Sequence, residues 1–140
     1  MTRSSTVFDC TMVQLPQIHA EGGNITVINN SEEIPFDIKR VYYLYDVPGG
    51  EGRGGHGHKE LQQIIVAVSG SFDLTVDDGK VKRTFHLSRP NMGVYMPPGL
   101  WRELDNFSSG SICLVLASEE YNEEDYLRGY NNYLVYKHDS

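Results

Sequence analysis

The chain has 140 residues, enough for one domain built around a single hydrophobic core. It carries 19 Asp and Glu against 12 Lys and Arg, which argues against nucleic acid as a partner, because phosphate backbones are bound by clustered basic residues. An anionic small ligand would have to be held by a few local arginines. Cys10 and Cys113 are too few and too far apart for a disulfide framework or a zinc motif, so we expect a cytoplasmic protein.

The apolar segments of the chain indicate neither a secretory signal nor a membrane span. The first ten residues lack the apolar core of a secretory signal. The longest wholly apolar runs, such as 112–117, are far too short to span a membrane.

Short β-rich runs separated by Gly, Pro, Asn and Asp recur along the chain and predict strands. The run 62–68 predicts a strand buried on both faces, and Asp77-Asp78-Gly79 predicts a hairpin turn. Eight or so such strands indicate an all-β fold, a β-sandwich or barrel of the jelly-roll type. The predicted strands cover residues 25–28, 38–45, 62–68, 71–76, 81–87, 92–96 and 112–117.

The strand 38–45 has two different faces. Because strand side chains alternate, Arg40 and Tyr42 share one face, and Tyr43 and Tyr45 lie on the other. A loop with five glycines follows at 48–55 and includes Arg53. We expect this loop to be mobile and close to a binding site.

The tail, 119–136, is rich in Glu, Tyr and Asn. Residues 125–128 resemble a helical turn, and the spacing of Tyr126, Tyr130, Tyr133 and Leu134 places them on one helical face. We expect a short C-terminal helix on the barrel exterior. The whole chain, 1–140, is then one domain, with the barrel at about 22–118.

His56 and His58 are separated by one residue, so on an extended strand they point to the same face. Two adjacent imidazoles can hold a metal or move protons on a bound substrate. Taken alone, such a pair is more often two polar residues on a solvated face.

The surrounding sequence matches the two-part signature of the small β-barrels called cupins. The first part is H-x-H, then Glu, six residues and Gly; here Gln63 stands at the Glu position and Gly70 keeps the spacing. The second part, P-x-G-x-x-H, reads 97-PPGLWR-102, so Arg102 replaces the third histidine. Cupins bring these two parts together in the barrel mouth.

Both replacements disfavour a metal. A divalent ion needs three or more N, O or S ligands, and the amide of Gln63 is a weak one. The guanidinium of Arg102 offers no lone pair and repels the ion. We therefore predict no metal site and interpret the histidines as a proton-handling pair.

A narrower resemblance rests on RGGHGHKELQQ, VYMPPGLWRELDNFS and LVLASEEYNEEDYLRGYNNY, with H-x-H-K-x-L-x-Q and ASEEYNEEDY the most specific motifs. These segments resemble the dTDP-4-keto-6-deoxy-D-glucose 3,4-ketoisomerases, cupin-type enzymes, over about residues 22–134. The resemblance implies an isomerase of bacterial deoxysugar biosynthesis, of the kind that supplies dTDP-3-amino-3,6-dideoxyhexoses for the O-antigen of lipopolysaccharide. It also implies no metal, no redox cofactor, and a homodimer in which strands are exchanged or paired.

The family reaction removes the C3 proton of the sugar, passes through an enediol(ate) and protonates C4. By resemblance, His58 takes the C3 proton and His56 carries a proton between O4 and O3. Imidazole suits both tasks, since its pKa lies near neutrality. Arg102 is a candidate to stabilise the enediolate, and the alternative for it is a structural salt bridge with Glu103 or a buried carboxylate.

Four further residues are candidates for substrate binding. Arg40 and Arg53 are the expected anchors of the diphosphate, because guanidinium groups match phosphate oxygens. Tyr42 shares the face of Arg40 and is expected to line the pocket. Gln63 is expected to bind a sugar hydroxyl or to fix an imidazole tautomer.

Several alternatives stay open at this point. A cupin-type sugar-nucleotide epimerase would also use an imidazole base, and a non-catalytic sugar-nucleotide-binding cupin would use the same pocket. Arg102 resembles the branch of the family that forms gluco products. Gly22, at the second position associated with the C4 configuration, matches neither branch, so the product configuration is left open.

Overall fold

The computed structural model describes residues 4–138, and within this range the chain forms twelve strands and one α-helix. The helix, α1, covers Tyr130–His138. The strands are β1 Thr11–Gln14, β2 Gln17–Ala20, β3 Gly23–Thr26, β4 Arg40–Leu44, β5 Arg53–His58, β6 Gln63–Ser69, β7 Phe72–Asp77, β8 Lys82–Leu87, β9 Met92–Met96, β10 Trp101–Asp105, β11 Ile112–Ala117 and β12 Tyr126–Leu127.

Two five-stranded antiparallel sheets make up the domain, in the orders β1-β9-β6-β11-β4 and β12-β5-β10-β7-β8. The main core contains residues from both sheets, among them Ile65 and Val115 from the first and Leu74 and Leu104 from the second. This is the all-β, jelly-roll architecture that the strand pattern predicts. The remaining strands, β2 and β3, pair with each other as a separate hairpin.

Strand β6 confirms the expectation of burial on both faces. Ile65 and Ala67 point into the main core, and Ile64 and Val66 pack into a second cluster on the other side of the sheet. All four side chains are at most 1 % exposed. Burying an Ile or Val side chain contributes about 1.5–3 kcal/mol, so a continuously apolar strand is the expected sequence here.

Two sequence-based placements are wrong, and the strand beside the histidines is missing from the prediction. Strand β1 already pairs with β9, so the barrel begins at Thr11 rather than near residue 22. Arg53 is not in the glycine-rich loop but starts β5, where it pairs with Leu104. The strand β10 was not predicted, because Arg102, Glu103 and Asp105 hide its alternation.

The C-terminal tail also differs from its prediction. A short helix is confirmed, but it starts at Tyr130, and Tyr126 belongs to β12 rather than to the helical face. Strand pairing replaces the helical turn because Tyr126 and Leu127 extend the sheet beside β5. The helix packs by Tyr133 on Trp101 and Leu127, apart from the main core.

None of the helices in the described range is long and apolar enough to cross a membrane.

Candidate active site

The pairing of β5 with β10 brings the two halves of the cupin signature together. His56 lies opposite Arg102, and Gly57 lies opposite Trp101. The amide N–H of Gly99 donates a hydrogen bond to the carbonyl of His58 at 2.8 Å, which ties the Pro-Pro-Gly turn to the end of the histidine strand. The expectation that the two motifs meet is confirmed.

The glycine between the histidines has a packing reason. A Cβ at Gly57 would lie 3.0 Å from the carbonyl oxygen of Leu100 and 3.2 Å from the ring of Tyr133. Tyr133 is held there because its hydroxyl lies 2.9 Å from the Gly99 carbonyl and 3.0 Å from the Asp77 carbonyl. Helix α1 therefore presses on the outer face of β5, and the two imidazoles occupy the inner face.

A cavity of about 330 Å³ opens beside the inner face of β5. Among residues 4–138, its lining includes four arginines and no acidic residue, although the chain as a whole carries a net charge of −7. The site is therefore a local cationic pocket that suits an anionic ligand. The lining residues are Arg40, Tyr42, Leu44, Arg53, His56, Arg102, Leu104, Tyr126 and Arg128.

His56 lines this cavity as a neutral imidazole. Burial, and then the positive charges of Arg102 and of neighbouring groups, lower the pKa of His56 to about 2. Its Nε2 is buried and has no hydrogen-bond partner among the described residues. A neutral ring with an unused nitrogen can accept or deliver a proton when a substrate reaches it.

His58 lies deeper and does not line the cavity. It is 2 % exposed, and its ring meets that of His56 edge to face, with the centroids 5.0 Å apart. Its Nδ1 lies 3.0 Å from Oδ2 of Asp125, a residue that is also buried. Burial lowers the pKa of His58, and the hydrogen bond to Asp125 opposes that effect without cancelling it.

Arg102 is a buried cation at the cavity wall, 2 % exposed. Its Nη2 donates a 2.9 Å hydrogen bond to the hydroxyl of Tyr42, while its Nε and Nη1 have no partner among the described residues. The salt bridge with Glu103 is not formed, since Glu103 instead accepts from the indole N–H of Trp101 at 3.0 Å. Buried, unused N–H groups that adjoin a cavity are suited to bind a ligand oxygen.

The sequence-predicted residues divide into two groups. Arg40, Arg53, Tyr42, Arg102 and His56 all line the cavity, whereas Gln63 and His58 do not.

Gln63 does not fix an imidazole tautomer as predicted. It is 1 % exposed, its Nε2 lies 3.6 Å from the sulfur of Met96, and its Oε1 has no described partner. Asp125 makes the contact to the histidine pair instead.

Sequence reasoning missed Asp125, Tyr126 and Arg128, all in the segment that we interpreted as helical. The guanidinium of Arg128 lies 4.3 Å from the ring centroid of Tyr126 and forms a two-point ion pair with Glu123. Tyr126 packs on both imidazoles, with centroids 4.4 Å from His58 and 5.3 Å from His56. The alternation of Tyr126 and Arg128, followed by Gly129, is the strand signal that could have placed them.

Within residues 4–138, no three His, Cys, Asp or Glu side chains are grouped so that they could hold a metal ion. The donor set offers two imidazoles, and Arg102 occupies the position opposite His56. The residues present do not fit a metal centre of the cupin type.

Comparison with known proteins identifies the family. The FdtA family model, described as WxcM-like, C-terminal, matches residues 8–138. A TDP-4-oxo-6-deoxy-alpha-D-glucose-3,4-oxoisomerase from Aneurinibacillus thermoaerophilus is 40 % identical over 125 residues, which cover 89 % of this chain and 90 % of that protein. The chain belongs to the sugar-nucleotide 3,4-ketoisomerase family.

Two solved 3,4-ketoisomerases share its fold closely. The enzyme from Helicobacter canadensis is 39 % identical, with a TM-score of 0.91, and the match covers 94 % of this chain and 98 % of that one. A histidine-to-asparagine mutant of the enzyme from Thermoanaerobacterium thermosaccharolyticum, in complex with TDP-4-keto-6-deoxyglucose, is 35 % identical, with a TM-score of 0.91 and coverage of 94 % and 96 %. These relatives support an isomerase that acts on a dTDP-sugar.

Proposed function

We propose that the protein moves the keto group of dTDP-4-keto-6-deoxy-D-glucose from C4 to C3 through an enediol(ate), by acid/base catalysis of the histidine pair. The observation that carries this proposal is the cavity that a neutral His56 lines together with four arginines and, in the described part of the chain, no acidic side chain. The arginines suit a diphosphate, and the imidazole suits proton transfer at a carbon next to a ketone. The substrate is the one named for the related enzyme in complex.

The arginines of the cavity are proposed to bind two different parts of the substrate. Arg40 and Arg53 are proposed to bind the diphosphate, with Tyr42 on the same strand face as Arg40. Arg102 is proposed to bind the oxygen of the enediolate, because its free Nε and Nη1 are already desolvated. Donors that are fixed in a water-poor site stabilise developing negative charge more strongly than donors in water.

The geometry favours a division of labour opposite to the one that the resemblance implied. His56 lines the cavity and is proposed to take the C3 proton and return it to C4, whereas the deeper His58 is proposed to move the proton from O3 to O4. Each transfer uses an imidazole nitrogen that has no partner in the described protein.

The experiment is a time course by ¹H NMR in D2O with dTDP-4-keto-6-deoxy-D-glucose and the wild-type protein. We expect a 3-keto product, and we expect His56→Asn and His58→Asn to abolish it while the circular dichroism spectrum is kept. A product that keeps its 4-ketone but is inverted at a neighbouring carbon would indicate an epimerase. Tight binding of dTDP with unchanged sugar signals would indicate a binding protein.

The reaction is proposed to need no metal and no redox cofactor. The C3 alcohol is oxidised to a ketone while the C4 ketone is reduced to an alcohol within the same sugar, so the proposed reaction requires no external electron acceptor. Arg102 is proposed to supply the positive charge that a metal supplies in other cupins.

The protein is proposed to act as a homodimer in the cytoplasm. Within the described residues the β2–β3 hairpin pairs with no other strand, and it exposes Ile18 and Ile25 at 54 % and 57 %. Strand β4 lies at the edge of its sheet. Unpaired edges and exposed apolar side chains are features that a second subunit covers. Light scattering that gives the mass of one chain would contradict the dimer.

The product is proposed to enter bacterial deoxysugar biosynthesis, as the 3-keto precursor of a dTDP-3-amino-3,6-dideoxyhexose for a lipopolysaccharide O-antigen. A 3-keto sugar is the form on which an aminotransferase can act at C3. Conversion of the product to an amino sugar by such an enzyme, added to the same tube, would test this step.

A further inference from the structure

Asp125 is the buried carboxylate behind the histidine pair, and it joins two parts of the chain 67 positions apart. It is 6 % exposed. Its Oδ1 accepts from the backbone N–H of Glu60 at 2.7 Å, and its Oδ2 accepts from the N–H of Leu61 at 3.3 Å and faces Nδ1 of His58 at 3.0 Å. Its own backbone carbonyl accepts from the N–H of Lys59 at 3.1 Å. Each carboxylate oxygen is thereby fixed in position.

This arrangement determines which nitrogen of His58 carries the proton. Burial would raise the pKa of Asp125, but the hydrogen bonds from His58 and from the backbone of Glu60 and Leu61 outweigh it, so the pKa is lowered and the group is ionised. An ionised carboxylate can only accept hydrogen bonds, so Nδ1 of His58 must donate. Nε2 is then left with its lone pair, and it has no other partner in the described protein.

We propose that Asp125 is a positioning residue of the isomerase: it holds His58 as the Nδ1–H tautomer and stabilises the imidazolium that forms during catalysis. The proposal rests on the proposed function. In the step concerned, the O3–H bond breaks as its proton moves to Nε2 of His58, and the same proton then passes to O4. His58 is a cation between the two transfers, next to the negative charge of Asp125, and it is neutral again at the end.

A purely structural role for Asp125 predicts different behaviour, and the chain provides a matched control. Asp78 is also buried, at 7 % exposure, and it also holds backbone N–H groups, those of Val7, Lys80 and Val81. It contacts no histidine of the site. Asp78→Asn therefore tests the loss of backbone anchoring without any change in an imidazole.

The experiment compares Asp125→Asn with Asp125→Ala in the full-length protein. Asparagine can keep the bond from the Glu60 N–H through its carbonyl oxygen, but its amide N–H₂ then faces Nδ1 of His58 and forces the wrong tautomer. Alanine removes every hydrogen bond of the Asp125 side chain but leaves both neutral tautomers of His58 available. We expect Asp125→Asn to retain the higher Tm and yet lose more of kcat, by about 10²–10⁴-fold as for the misoriented histidine of a catalytic triad.

A structural role predicts the same order of Tm but the reverse order of kcat, with Asp125→Ala less active than Asp125→Asn, and this order of kcat would overturn the proposal. Asp78→Asn is expected to lower Tm without changing kcat of the folded protein.

The tautomer itself gives a readout that does not depend on activity. In long-range ¹H–¹⁵N spectra of the unliganded protein, we expect the His58 ring to show a protonated Nδ1 in the wild type and a protonated Nε2 in Asp125→Asn. A wild-type ring with Nε2 protonated would overturn the proposal even if neither variant folds. An absence of isomerase activity in the wild type, with the expected tautomer, would refute the proposed function and leave the positioning of His58 intact.

Discussion

Replacement of Arg102 by methionine separates the effect of the buried guanidinium on stability from its effect on catalysis. The side chain of Arg102 is 2 % exposed, and Nε and Nη1 have no partner among residues 4–138. In the same part of the chain, the guanidinium donates a hydrogen bond to the hydroxyl of Tyr42 through Nη2. Methionine has a similar length, carries no charge and can fill the same space between β10 and the cavity.

The structure allows the change in stability to be worked out. Each unsatisfied donor of a buried charged group costs about 1–3 kcal/mol, and the hydrogen bond to Tyr42 that is lost contributes about 1.5–3 kcal/mol. The net result is a gain in unfolding free energy of about 1–3 kcal/mol for Arg102→Met, in line with other replacements of buried ionic groups by apolar ones. For a chain of this size that gain raises Tm by roughly 3–9 °C.

The activity should move in the opposite direction. If Arg102 holds the enediolate, its loss costs about 10²–10³-fold in kcat, the usual effect of removing a donor from an oxyanion site. Thermal unfolding and initial rates are measured on the same preparation, with Tyr42→Phe as the control that removes the hydrogen bond and keeps the charge. A lower Tm for Arg102→Met would refute the reasoning, because the guanidinium would then be a structural group.

Three further predictions concern the histidine pair and the cavity. His56→Asn is expected to lower kcat by about 10²–10⁴-fold while dTDP binding, measured by calorimetry, stays within a few-fold of the wild type; lost dTDP affinity would count against a role confined to the sugar. Because the folded-state pKa of His56 is lowered to about 2 from 6.5, its neutral form stabilises the fold above pH 6.5, and this contribution is lost as the pH falls. Between pH 8 and pH 5 the unfolding free energy of the wild type should therefore fall by about 2 kcal/mol more than that of His56→Asn, in urea titrations, and parallel curves would contradict the neutral, buried state. Dialysis against EDTA is expected to leave kcat unchanged, and a loss that Zn²⁺ or Mn²⁺ restores would show that a metal takes part.

The parts of the fold that sequence predicts well are those in which local pattern and tertiary packing agree. Strand β6 is apolar on both faces because it separates two clusters, and its burial follows directly from its composition. In β4, Arg40 and Tyr42 face the cavity while Tyr43 is exposed at 59 %, as the alternation predicts. The meeting of His56 with Arg102 follows from the motif, because a paired β5 and β10 leave them opposite each other.

The prediction fails in the C-terminal tail, where long-range contacts determine the structure. The recurrence of Tyr126 with Tyr130 and Tyr133 fits a helix, but the edge of β5 offers backbone hydrogen bonds that only a strand at Tyr126 can use. Propensity is weak compared with such pairing. Asp125 was missed for a similar reason, because its contact with His58 spans 67 positions and no local pattern connects the two residues.

The position of the carbonyl carbon in the product tests the central claim most directly. The wild-type protein is incubated with dTDP-4-keto-6-deoxy-D-glucose labelled with ¹³C at C3 and C4, and the carbonyl signal is followed by NMR, with His56→Asn as the control. We predict that the signal moves from C4 to C3 with the wild type and stays at C4 with the variant. A carbonyl that stays at C4 with the wild type would contradict the account.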